Sequence, residues 1–207
     1  CLFNNFKNGF LQGDCIMKIS ILFTGLLMAL TSVASANESV VTIAQIANAD
    51  RTATLATMSL VDWKVGDSQD FKVSLGGFGM EGTMRKEATK EEGNAIWVTT
   101  DLNLPIAKDN SEMLIDRDSG KILKFIHNGK EEAVPSGEIE IISTKNETIT
   151  VPAGKFKTVH VTAKSKDVKA IEIWINQREV SLGGAVKQYM DQGIMKITME
   201  LTKFVKL

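Results

Sequence analysis

From Asp70 onward, apolar and polar side chains alternate along most of the chain, with the period of two that a half-buried β-strand requires. Asp70 to Leu75 sets Phe71, Val73 and Leu75 on one face and Lys72 and Ser74 on the other. Phe78 to Lys86 follows the Gly76-Gly77 break and groups Phe78, Met80 and Met84. Ala95 to Leu104 gathers Ile96, Val98, Leu102 and Leu104 opposite Trp97, Thr99, Asp101 and Asn103. The same logic predicts strands over Ser111 to Asp116, Lys121 to His127, Gly137 to Ser143, Thr148 to Val151, Lys155 to Ala163, Val168 to Ile175 and Gly193 to Phe204.

Turn chemistry separates these runs. Glu91-Glu92-Gly93-Asn94, Asp118-Ser119-Gly120 and Asn128-Gly129 lie between them, and Asn-Gly is the dipeptide best suited to a tight hairpin. Parallel crossovers need about a dozen residues or more, so connections this short imply an antiparallel meander. About nine strands is more than a flat open sheet holds without curling. Gly76, Gly77, Gly79, Gly82, Gly183 and Gly184 are available as bends. The expected fold is therefore mainly β (α+β): a strongly curved meander or half-barrel of about nine strands with a short N-terminal helix.

Before Asp70 the pattern changes. Val40, Ile43, Ala44 and Ala47 are three and four apart, with Asn37 or Ser39 available as N-cap, so a short helix is predicted between Asn37 and Ser59. Met17 to Ala36 carries Lys18, an apolar run from Ile19 to Leu30 and Ala34-Ser35-Ala36, which together read as a secretory signal peptide. Thr24 and Gly25 interrupt the run, which falls short of the roughly 20 apolar residues that span a bilayer. Cleavage is expected, leaving no stable membrane span. Residues 1–16 precede this better start and read as an upstream extension that is not native. The expected organisation is that extension, a signal peptide over 17–36, and one β-rich domain over 37–207, located in a bacterial periplasm or outside the cell.

The 171 residues after Ala36 carry 22 basic and 24 acidic side chains, interspersed. A nucleic-acid binder needs a basic stripe to neutralise phosphates, so that class is set aside. Both cysteines, Cys1 and Cys15, lie upstream of the cleavage site, which leaves no disulfide, Cys nucleophile or Cys metal site.

Candidate chemistry is sparse. His127 and His160 fall on different strands, too few for a zinc set without cysteines. His160 alternates with Thr158 and Thr162, opposite Val159 and Val161. Asp116-Arg117-Asp118-Ser119-Gly120 opens like a calcium loop, but its glycine is fifth instead of sixth and no Glu stands twelfth, so a turn is expected. Glu172 and Glu200 lie on strands, and their spacing does not define an acid and base pair. No nucleophile elbow, HExxH helix, phosphate loop or dinucleotide fingerprint occurs. No catalytic residue, metal or cofactor is expected. Methionine adapts to irregular apolar partners, and Phe71, Phe78, Met80, Met84, Trp97, Trp174 and Met199 form the candidate apolar cavity.

At Val151-Pro152-Ala153-Gly154-Lys155-Phe156 the pattern becomes specific. Pro152 fixes its own φ, Gly154 permits a tight turn and Phe156 can re-enter the core, together making a sharp strand-to-strand corner. With the strand Thr158 to Ala163, Glu172-Ile173-Trp174-Ile175, Gly183-Gly184-Ala185-Val186-Lys187 and Met199-Glu200-Leu201, it resembles a widespread group of uncharacterised bacterial envelope proteins. Their sheet is similar to the half-barrel of the lipoprotein carriers LolA and LolB. The likeness covers about the last third of the chain, with a weaker echo at Trp63 to Asp67, and departs from the pattern at Ser181, where Pro is common. It implies fold and compartment and names no activity. The function expected is a non-enzymatic exported envelope protein that binds an acyl chain or other apolar ligand. A structural or protein-interaction module of an envelope assembly is the alternative, and an enzyme of unknown type comes after that. The candidate partners are accordingly a lipid or apolar ligand and an envelope protein.

Overall fold

The computed structural model describes residues 61–77, 79–135, 139–165, 168–193 and 195–207. The extension, the signal segment, the Asn37 to Ser59 helix and Phe78 lie outside the described residues.

Eleven strands form one antiparallel sheet: β1 (Ser68–Gly76), β2 (Met80–Glu92), β3 (Ala95–Leu104), β4 (Ala107–Asp116), β5 (Ile122–His127), β6 (Lys130–Glu132), β7 (Ile139–Val151), β8 (Gly154–Ser165), β9 (Ala170–Ile175), β10 (Ala185–Asp191) and β11 (Lys196–Val205). The spatial order is β6-β5-β4-β3-β2-β1-β11-β10-β9-β8-β7. Two meanders thus meet where the first strand pairs with the last, Phe71 opposite Leu201 and Val73 opposite Met199. At the Asn128-Gly129 turn both residues have positive φ, 49° and 78°, the backbone a two-residue I′ hairpin demands.

The count of about nine strands is corrected to eleven among the described residues: two strands, β6 and β10, were not read, while two of the runs named above share one strand. β6 is Lys-Glu-Glu, three residues with no apolar face to read. β10 was missed because Gln188 is buried between Val186 and Met190 and breaks the alternation. The runs ending at Ser143 and beginning at Thr148 share one strand, β7 (Ile139–Val151), whose middle from Ser143 to Asn146 is exposed at the sheet edge and so carries no apolar signal.

The sheet curls. At the β7–β8 corner the Ala153 N–H donates to the Leu201 carbonyl of β11 (2.9 Å), although β11 stands four places from β7 in the sheet order. Bulges at Asp70/Phe71, Ala88/Lys90, Leu114/Ile115 and Ile141/Ser143 supply local bends. Gly82 permits a close approach: a Cβ there would stand 2.3 Å from the Asn103 carbonyl oxygen of β3.

Buried apolar side chains form two clusters. The larger gathers residues such as Phe71, Val73, Leu75, Met84, Ile173, Ile197 and Met199 from β1–β3 and β7–β11. The smaller gathers Trp63, Ala88, Ile96, Val98, Met113, Ile115 and Phe125 from β2–β5 and the preceding segment. Each fully buried side chain of this size contributes roughly 1.5–3 kcal/mol.

Candidate functional site: two polar rows across the sheet

Strand register, the alignment of residues across neighbouring strands, produces a feature that local pattern does not. Gln69 of β1 stands opposite Lys86 of β2, Lys86 opposite Thr100 of β3, Thr100 opposite Ser111 of β4, and Ser111 opposite His127 of β5. All five are buried, on the face that carries Phe71, Met84, Val98, Met113 and Phe125. The row also divides the apolar face. Met84, Leu102 and Leu104 lie on its one side in the larger cluster, and Ala88, Val98, Met113 and Phe125 on its other side in the smaller.

The ends of this row are tied down. Gln69 Nε2 donates to the Ser181 carbonyl (2.8 Å), while Gln69 Oε1 is buried without a hydrogen-bond partner. The Ser181 hydroxyl, where the resemblance would place Pro, donates to the Val205 carbonyl (2.8 Å) and helps hold this loop on β11. At the other end His127 Nε2 lies 2.6 Å from Asp109 Oδ1 and its Nδ1 3.3 Å from Glu132 Oε1, with the ring stacked on Phe125. Asn128 Nδ2 donates to the same Asp109 oxygen (3.0 Å). Ser111 is beside this His and Asp pair, but both ring nitrogens face carboxylates, so neither is directed at the Ser111 hydroxyl as a base.

Lys86 is different. It is 3% exposed, and its ammonium makes no hydrogen bond or ion pair with a described residue. Burial alone pushes its pKa down to about 7, because the charged form loses its water.

The opposite face carries a second row. Lys145, His160, Trp174, Lys187, Glu200 and Lys72 stand opposite one another in turn across β7, β8, β9, β10, β11 and β1. Here every charge finds a partner. His160 stacks on Trp174 with centroids 4.1 Å apart, and its Nε2 lies 2.9 Å from Glu172 Oε2. Glu147 accepts a hydrogen bond from the Trp174 indole, and its Oε1 is 3.1 Å from His160 Nδ1, without hydrogen-bond alignment. Lys187 donates to Glu200 (2.8 Å) and lies 5.7 Å from the Trp174 ring centroid, and Lys72 pairs with Glu81 (2.6 Å). The Trp174 indole first, then Lys145 and His160, hold the Glu147 carboxyl below its ordinary range.

The cavity candidates separate between these faces. Phe71, Met84 and Met199 meet in the larger cluster and Met80 packs at its margin. Trp174 belongs to the other face, stacked on His160. Trp97 alternates with the buried Ile96 and Val98 and donates to Glu92 (3.0 Å). The seven residues therefore do not line one surface, and Phe78 lies outside the described residues. At the corner, Val151 and Phe156 are buried and Phe156 meets Phe204 edge-on, with centroids 6.0 Å apart. The Asp116 carboxylate accepts from the Ser119 N–H (2.8 Å) and so closes its own turn. Among the described residues no group of three or more His, Cys, Asp or Glu is placed to hold a metal.

Sequence reasoning missed Lys86, although a signal was present. Lys86 continues the parity of Met80 and Met84, just as Thr100 continues that of Ile96, Val98, Leu102 and Leu104. Strict period two would have put both on the apolar face.

No protein-family model matches the chain, and no curated protein does. Among solved structures it is similar to a candidate lipoprotein from Parabacteroides distasonis, at 12% identity over 72% of this chain and 99% of that one, with a TM-score of 0.41. It is similar also to a candidate exported protein with a YmcC-like fold from Bacteroides fragilis, at 9% identity over 72% and 100% of the two chains, with a TM-score of 0.40. A third is MucB, at 10% identity over 83% of this chain and 60% of that one, with a TM-score of 0.40. At such values these likenesses leave the function to be argued from the chain's own residues.

Proposed function

We propose that the protein is an exported, non-enzymatic envelope protein that holds an apolar ligand, such as an acyl chain, against the buried face of its curved sheet. One observation carries this reading. The sheet curls far enough for the β7–β8 corner to bond β11, yet among the described residues no ladder joins its two edges, β6 and β7. A closed barrel admits a ligand only at its ends, whereas an open one offers its interior along an edge without breaking ladder bonds. An acyl chain that buries about 300 Å² would gain roughly 7 kcal/mol before the costs of association, enough for useful affinity without any reactive group. Titration of an environment-sensitive fatty-acid probe into the purified protein tests it. Saturable signal displaced by dodecanoate supports the reading, and a flat titration overturns it.

A second reading, docking of an envelope protein, is favoured by the contrast between the sheet edges. β6 is three charged residues, whereas β7 presents thirteen residues with Ile142 exposed, a template for an added strand. A proline scan from Ser143 to Glu147 tests it. Loss of a captured partner with an unchanged circular dichroism spectrum supports strand addition, and unchanged capture removes it.

A further inference from the structure

We propose that the strand added to β7 is β7 of a second copy of this chain, paired antiparallel about a two-fold axis at Asn146. The proposal rests on the strand-addition reading of that edge and names its partner.

The turn after β7 decides which of its amides are free. Val151 and Gly154 face each other across the two-residue connection Pro152-Ala153, so they exchange both of their backbone hydrogen bonds. Alternation from that pair aims the amides of Ile149, Glu147 and Lys145 at β8 and those of Thr150, Thr148, Asn146 and Thr144 away from it. Among the described residues no strand lies beyond β7, and those four residues are exposed. The bulge between Ile141 and Ser143 ends this regular row on one side and Pro152 ends it on the other. Between them the row is a bare template of ladder donors and acceptors.

Charge selects the occupant and the register. A two-fold axis pairs the strand with itself, and each choice of central residue sets different side chains opposite one another. Centred on Lys145 or Glu147, the strand meets its own charge. Centred on Thr148, both charged residues fall opposite Ile149 and Val151. Centred on Asn146, Lys145 of each copy stands opposite Glu147 of the other, and Thr144 stands opposite Thr148. In that register Thr144, Asn146 and Thr148 exchange the ladder bonds, while Lys145 and Glu147 take the intervening positions, where side chains on the two strands approach most closely. An edge lysine by itself repels an added strand. Here Lys145 Nζ already lies 3.1 Å from Glu147 Oε2 on its own strand, so two copies bring together an alternating strip of four charges. The patch is small, which places the dimer at the weak end of protein interfaces.

Sedimentation equilibrium of the purified protein, up to about 1 mM because so small an interface is weak, reads the association. Wild type is expected to dimerise. Lys145→Glu and Glu147→Lys each put like charges opposite one another and should weaken the dimer by about fivefold or more. Mixing the two variants sets opposite charges face to face again and should give a heterodimer, a recovery that loss of the Trp174 bond to Glu147 cannot produce. Asn146→Pro deletes an N–H that β8 does not use, and should abolish the dimer with an unchanged circular dichroism spectrum. A monomer at every concentration, a dimer that Asn146→Pro leaves intact, or no recovery on mixing overturns self-pairing. If wild type stays monomeric yet captures an envelope protein through this edge, self-pairing falls and the strand-addition reading stands; if it does neither, both fall.

Discussion

On one face of the sheet His160 sits between Glu147 and Glu172 with Trp174 stacked against it; on the other, Lys86 occupies a similar cross-strand row with no ion pair or hydrogen bond to a described residue. Both rows are built by antiparallel register, so their difference comes from neighbours and burial. The partly exposed face can satisfy a charge with water as well as with carboxylates, so a paired row there is inexpensive and modest in effect. The apolar face can satisfy a charge only with another buried group. The lesson is that charges in a β-sheet are informative where the surroundings give them nothing, and the candidate site lies on that face.

The largest effect expected from breaking this contrast is at Lys86. Its folded-state pKa is depressed from 10.5 to about 7, so below pH 7 the folded protein carries the full cost of a buried charge. Between about 7 and 10.5 the folded state binds fewer protons than the unfolded one, and wild-type stability rises with pH across that window. Lys86→Met should therefore stabilise the ligand-free protein by on the order of 4 kcal/mol at pH 6 and by little at pH 10.5. Urea unfolding of both proteins at the two pH values measures it.

A smaller effect is expected on the paired face. His160→Ala removes the ring that stacks on Trp174 and the bond to Glu172, and should destabilise by about 1–2 kcal/mol, read from the shift in urea midpoint. Trp174→Phe acts through Glu147. A carboxyl whose pKa is lowered by folding contributes stability above its unfolded pKa and loses it as pH falls through the folded value. Losing the indole bond should flatten the acid limb of the stability profile, measured by thermal unfolding from pH 6 to pH 3. The smallest change is expected at Lys72→Ala, which opens an exposed pair with Glu81 and should stay within about 0.5 kcal/mol.

Much of the architecture was legible because each strand writes its own pattern. Phe71, Val73 and Leu75 fall on one face as alternation requires, and Asn128-Gly129 turns as its dipeptide indicates. The sites of failure share a cause. β10 carries a buried Gln188, β7 is an edge strand with a polar middle, and β6 is too short to show a period. The polar row was less legible still. Each of its members looks like one polar residue in its own strand, and only register brings Gln69, Lys86, Thr100, Ser111 and His127 into line. Aromatic content misled in the opposite direction: Trp97 and Trp174 read as cavity lining, yet each directs its indole N–H to a carboxylate on the other face.

The most direct test of the central claim, that strand register carries Lys86 onto the buried apolar face of the sheet, is its own titration followed by NMR of the lysine Nζ and Cε. The account expects a midpoint near 7, because burial disfavours the charged form. An ordinary lysine midpoint near 10.5 would contradict it.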